Sequence, residues 1–185
     1  SGEGLLALLD EILDFSKVEA GQTVLTKRPF DAVESLEGLL ALLAPRAESR
    51  GLELVCRIAT EVPTLLLGDE QRFSQILLNL VGNALKFTEQ GGVVVTLEPS
   101  PRGEDGRSTD EHGAWHGVVT VRDTGIGVPA SELASLFRAF TQVDSPAGRR
   151  ERGTGLGLAI SRRLSLLMGG TIGVESAGLP GQGST

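Results

Sequence analysis

From Asp69 onward the chain repeats apolar side chains at helical spacing: Phe73, Ile76, Leu77, Leu80, Val81, Ala84 and Leu85 share one face. A face this wide and long cannot be left in water, so the helix that carries it needs a broad partner surface. The following segments supply one, because Val93 to Glu98 alternates as a strand does and Val118 to Arg122 repeats the pattern. A second helix is written upstream. Asp31 reads as its N-cap, with Glu34 completing a capping box, and Leu36, Leu39, Leu40 and Leu43 carry it to about Gly51. Pro45 inside that run predicts a kink or a split. Thr23 to Phe30 and Leu52 to Ala59 read as strands, and Cys56 within the latter reads as a small buried hydrophobe. Later come a short helix capped by Ser131, a helix from Leu156 to Met168 and a strand from Thr171 to Glu175. Strands that mix hairpin and helical connections predict an α/β fold, a two-layer sandwich of a mixed sheet packed on helices.

The first segment, Leu5 to Ala20, bears an apolar stripe of Leu5, Leu9, Ile12 and Leu13, and Gly21 ends it as a C-cap. A piece this short has no core of its own, so it must pack on the rest of the chain or on another helix. The 185 residues fit one domain with a short appendage, since a domain takes roughly 100–200 residues. Aromatic residues make up 4%, so the core has to be aliphatic. A net charge of −7 argues against a nucleic-acid partner, which needs clustered Lys and Arg. No run approaches the roughly 18 apolar residues that cross a bilayer. One cysteine excludes an internal disulfide and a cysteine zinc cage, and suits a reducing, cytoplasmic setting.

Chemistry concentrates in three places. Asn79, Asn83 and Lys86 stand at i, i+4 and i+7 on one side of the helix that starts at Asp69. Amide oxygens are hard ligands suited to Mg²⁺, and a lysine is a point charge suited to phosphate; a solvated polar face is the plain alternative. Asp123-Thr124-Gly125-Ile126-Gly127 leaves a strand in a loop whose glycines allow close approach to a ligand, or simply a tight turn. Gly153-Thr154-Gly155-Leu156-Gly157 runs into a helix and offers bare backbone N–H groups at its start, where the helix dipole favours an anion. No parallel strand directly precedes this run and it lacks a P-loop lysine, so neither of those nucleotide motifs accounts for it.

In this order the motifs resemble the catalytic, ATP-binding domain of bacterial sensor histidine kinases of the hybrid type. NLVGNALKFT (79–88) is similar to the N box, DTGIGV (123–128) to the first glycine box, LFRAFTQVD (136–144) to the F box and GTGLGLAIS (153–161) to the second glycine box. GQGST (181–185) resembles the start of the last glycine-rich motif, and LDFSKVEAG (13–21) the end of the second dimerisation helix. The resemblance implies residues 1–21 as the end of the dimerisation and phosphoacceptor domain and 22–185 as the ATP-binding domain, with a histidine-kinase-type ATPase fold. It implies ATP and Mg²⁺ as cofactors. Asn83 would hold the metal, and Asn79 would assist at the metal or phosphates. Lys86 would contact phosphate, Asp123 the adenine amino group, and Gly125, Ile126 and Gly127 would close over the base. Gly153, Thr154, Gly155, Leu156 and Gly157 would face the phosphates.

Related ATPases carry a glutamate at the Asn79 position, and an amide cannot take a proton from water. Poor hydrolysis and transfer to a protein are therefore expected, and an ATP-driven clamp or a non-catalytic nucleotide sensor is the alternative. Phosphoryl transfer needs positioning and charge neutralisation more than covalent groups. Arg149, Arg150 and Arg152 lie in the segment the resemblance makes a lid, and Arg152 is the catalytic candidate among them. The acceptor histidine of the family sits on an upstream helix, so His112 and His116 are read as loop or strand-edge residues. The implied partners are the phosphoacceptor helix of the full-length protein, a homodimeric second copy, and a response regulator or receiver domain, with no nucleic acid.

Overall fold

The computed structural model describes residues 2–100, 115–141 and 154–185, and within 2–10 only the side chain of Leu9. Its elements are α1 (Gly2–Glu19), β1 (Arg28–Phe30), α2 (Ala32–Ser49), β2 (Glu53–Ile58), β3 (Leu66–Gly68), α3 (Glu70–Phe87), β4 (Gly92–Pro99), β5 (Gly117–Asp123), α4 (Ala130–Leu133) and α5 (Gly157–Leu167). The main sheet has the order β2-β4-β5, with β2 parallel and β5 antiparallel to β4. A separate antiparallel ribbon pairs β1 with β3. The expected mixed sheet on helices is therefore present.

Alternation along β4 explains the layering. Val93, Val95 and Leu97 are buried and face a core shared with Leu36, Leu40 and Leu43 of α2 and Leu77, Val81 and Leu85 of α3. A smaller apolar cluster joins Val18 of α1 to Leu156, Ile160 and Leu164 at α5, with Phe15 and Ile76 against it. Both long inner helices are capped as their sequences dictate. The Asp31 carboxylate accepts the N–H groups of Val33 and Glu34, and that of Asp69 accepts Arg72 N–H at 3.0 Å and Thr26 N–H at 2.8 Å. α1 ends at Gly21, whose φ of +67° lets Gln22 N–H reach the Lys17 carbonyl at 3.0 Å.

Several expectations need correcting. Pro45 neither ends nor splits α2, because the carbonyl it leaves without a donor belongs to exposed Ala41, within reach of water. Cys56 is exposed, not buried, since β2 is an edge strand; partial desolvation and the negative charge of Glu37 push its thiol pKa up. The strand expected from Thr23 shrinks to Arg28–Phe30, and β3 was not foreseen. α4 starts after Pro129, so Ser131 is not its cap. Thr171 to Glu175 forms no ladder with β5 among the described residues. A cavity of about 620 Å³ separates the two, and only Glu175 pairs, with Thr185.

Candidate functional site

The cavity runs along β5 from Val118 to Asp123 and is walled on one side by Leu80, Asn83, Ala84 and Phe87 of α3. Ile126, Gly127 and Val128 of the loop after β5 and Phe137 beyond α4 also line it. The structure thus brings Asn83, Asp123, Ile126 and Gly127 to one place, although 40 residues of chain separate Asn83 from Asp123.

Asp123 is held firmly. It is 8% exposed, its Oδ1 accepts Gly125 N–H at 2.8 Å, and its Oδ2 accepts the Ser184 hydroxyl at 2.9 Å. Each carboxylate oxygen keeps a further lone pair, so the group can still accept from a ligand amino group. Gly125 is required by contact: a Cβ there would fall on the Phe87 carbonyl at the end of α3. The Ile126 N–H donates to that same carbonyl at 3.3 Å, so the loop is stitched to the helix that carries Asn83.

Asn79 points elsewhere along the same helix. Its Nδ2 donates to Ser161 Oγ of α5 at 2.9 Å, and a Cβ at Gly157 would overlap its Oδ1. Glycine at 157 therefore lets the start of α5 lie directly on the amide edge of α3. Asn83 Nδ2 approaches Asn79 Oδ1 at 3.4 Å, which links the two amides. Thr154 Oγ1 accepts Leu156 N–H at 3.2 Å and organises the first turn of α5, next to Gly155, whose carbonyl accepts Phe140 N–H at 2.9 Å. Lys86 lies farther along α3, with its ammonium 5.1 Å from the Phe87 ring centre. Arg152 and Gly153, with Arg149, Arg150 and His112, lie outside the described residues. Sequence reasoning missed Ser161 and the hydroxyl of Ser184. The only available signal for Ser184 was its place in a glycine-rich tail.

Among the described residues no group of three or more His, Cys, Asp and Glu could hold a metal alone. What the site offers a divalent ion is amide oxygen, and Asn83 is the amide that lines the cavity. That suits an ion that keeps most of its ligands from phosphate and water, which is the habit of Mg²⁺.

Residues 68–185 match the family described as histidine kinase-, DNA gyrase B-, and HSP90-like ATPase. The chain belongs to this ATPase family. It is similar to the sensor protein GacS of Pseudomonas syringae pv. syringae, with 46% identity over 100% of this chain and 19% of that protein. It is also similar to the signal transduction histidine-protein kinase BarA of Escherichia coli strain K12, with 41% identity over 100% of this chain and 19% of BarA. The chain thus spans about a fifth of the length of these relatives. Among solved structures, full-length ShkA in complex with AMPPNP superposes with a TM-score of 0.81 at 40% identity, covering 100% of this chain and 35% of ShkA. The segments whose sequences resemble the N box and the first glycine box lie on α3 and in the loop after β5, and the described part of the one that resembles the second glycine box leads into α5.

Proposed function

We propose that this chain is the ATP–Mg²⁺-binding, phosphoryl-donating part of a protein-histidine kinase in a two-component system. The observation that carries the reading is the convergence of α3, the Asp123 loop and the start of α5, with Asn79 pressed on Gly157 and Asn83 sharing a cavity with Asp123. Asp123 accepts the adenine amino group, while Gly125, Ile126 and Gly127 form the wall around the base. Asn83 holds Mg²⁺, Asn79 assists beside it, and Lys86 answers phosphate charge. Gly153, Thr154, Gly155, Leu156 and Gly157 offer backbone donors to the phosphates, and Arg152 acts on the transferred group. The bound metal would neutralise charge on the phosphate oxygens; the protein's share is to fix the nucleotide and exclude competing geometries.

Neither histidine in the chain is assigned as the acceptor. His116 precedes β5 while Asp123 ends it, and seven strand steps put them roughly 23 Å apart. The acceptor is instead a histidine on a helix of the full-length homodimer, and a response regulator or receiver domain takes the phosphoryl group next. Use of ATP as donor suits the cytoplasm. No helix among the described residues is long and apolar enough to cross a membrane.

Calorimetric titration with ATP tests the site and metal together. Wild-type chain should bind only weakly without Mg²⁺, and Asn83→Ala should lose about tenfold or more of the Mg²⁺-dependent affinity. Equal binding by the variant would remove Asn83 from the metal. With labelled ATP, acid-labile label should appear on an added protein bearing the acceptor helix and not on this chain.

A further inference from the structure

α1 reaches the start of α5 with a negative charge. The Thr154 hydroxyl, which accepts the Leu156 N–H, donates in turn to the Glu11 carboxylate. Three further contacts seat α1. The Asp14 carboxylate accepts Gln75 Nε2 at 2.7 Å and pairs with Arg72 at 3.3 Å on α3. Val18 is 1% exposed against α5. Phe15 meets the Phe140 ring edge-on at 6.2 Å. Phe140 has a φ of +62°, rare for a residue with a side chain, and its N–H is tied to the Gly155 carbonyl. The helix therefore grips both Phe140 and Thr154, and the Phe140 backbone is itself tied to Gly155, the residue next to Thr154. The grip is one-sided, since Leu9 and Leu13 remain 47% and 55% exposed.

We propose that α1 is an internal competitor at the nucleotide end of α5, with the Glu11 carboxylate, held on the Thr154 hydroxyl, placed at the approach to the helix start that a triphosphate would use. This rests on the nucleotide reading above. A helix start favours one anion, and a second negative group brought beside it is repelled by the first. Docking of α1 and binding of nucleotide thus oppose each other, and the opposition is reciprocal: α1 weakens nucleotide binding, and nucleotide loosens α1. Glu11 does this without touching the reacting atoms, and is a regulatory residue.

The test uses the chain as it stands, with Mg²⁺ and AMPPNP as the probe. Glu11→Gln keeps a hydrogen-bond acceptor but removes the charge, and should tighten AMPPNP binding by about three- to tenfold. Glu19→Gln, an exposed change on the same helix, controls for net charge and should shift affinity by no more than about twofold. Hydrogen exchange supplies a readout that needs no variant: the amides of residues 11–18 should exchange faster when AMPPNP is added. If wild type binds AMPPNP but Glu11→Gln binds no more tightly, or if nucleotide protects residues 11–18, the competition is overturned while the nucleotide site stands. If wild type binds no AMPPNP at all, both readings fall.

Discussion

Gly125 and Gly157 look alike in sequence and differ in what surrounds them. A methyl group at 125 would meet the Phe87 carbonyl, a backbone atom fixed by α3. At 157 it would meet the far end of the Asn79 side chain, which can turn away at the expense of its bond to Ser161. Gly125→Ala should therefore destabilise the fold by about 2 kcal/mol or more, as overpacking against a rigid partner does. Gly157→Ala should cost about 1 kcal/mol, the value of one hydrogen bond, while displacing Asn79 from the amide edge. Urea denaturation of both variants checks the order, and the reverse order would show that Asn79 is the stiffer neighbour. At this scale the sequence was legible where an odd residue stood out, as amides on a helix edge or glycines around an aspartate, and the structure brings Asn83, Asp123 and Gly127 to one cavity. It was silent on partners. Ser161 is 82 residues from Asn79, Ser184 is 61 from Asp123, and Glu11 is 143 from Thr154. No local periodicity encodes such pairs.

The elements themselves were more readable, because period and capping are local. α3 could be placed from its stripe and from Asp69. The split allowed for at Pro45 and the burial expected of Cys56 failed for one shared reason: their consequences depend on which side of an element faces water, which only the assembled fold decides. Asp69 also links an element's start to pH. Burial alone would raise its pKa, but the N–H groups of Thr26 and Arg72 and the charge of Arg72 outweigh that and hold it below the usual carboxylate range. The pKa is thus lower folded than unfolded. The stabilisation is complete above the unfolded value and fades as pH falls through the folded one. Asp69→Asn should lower stability by about 1 kcal/mol or more at neutral pH. The gap from wild type should close as the pH falls below the usual carboxylate range. A gap that persists in acid would show that the cap acts through shape and not charge.

For the whole molecule, the two-layer plan followed from pattern alone: β4 buries alternate residues against α2 and α3, and the proposed site hangs on the rim of that contact. The rim was not readable as a shape, because it is made by loops whose glycines say only that the backbone bends. The cavity beside β5 has an outcome of its own. One side of β5 pairs with β4, while the other has no strand beside it among the described residues and is tied only at its end, where Asp123 N–H donates to the Ser184 carbonyl at 2.9 Å; Val118, at the start of β5, is 38% exposed. A lone row of backbone dipoles next to apolar walls is a template for any extended chain that comes near. At rising concentration these 185 residues should associate edge to edge, seen as a growing sedimentation coefficient. Val118→Lys, which sets a charge on that margin, should hold the protein monomeric. Should both remain single particles at every concentration, the open flank of the sheet is inert. Otherwise this border is one of two main-sheet edges among the described residues, with β2 the other, that decide whether preparations stay clear or slowly turn to gel.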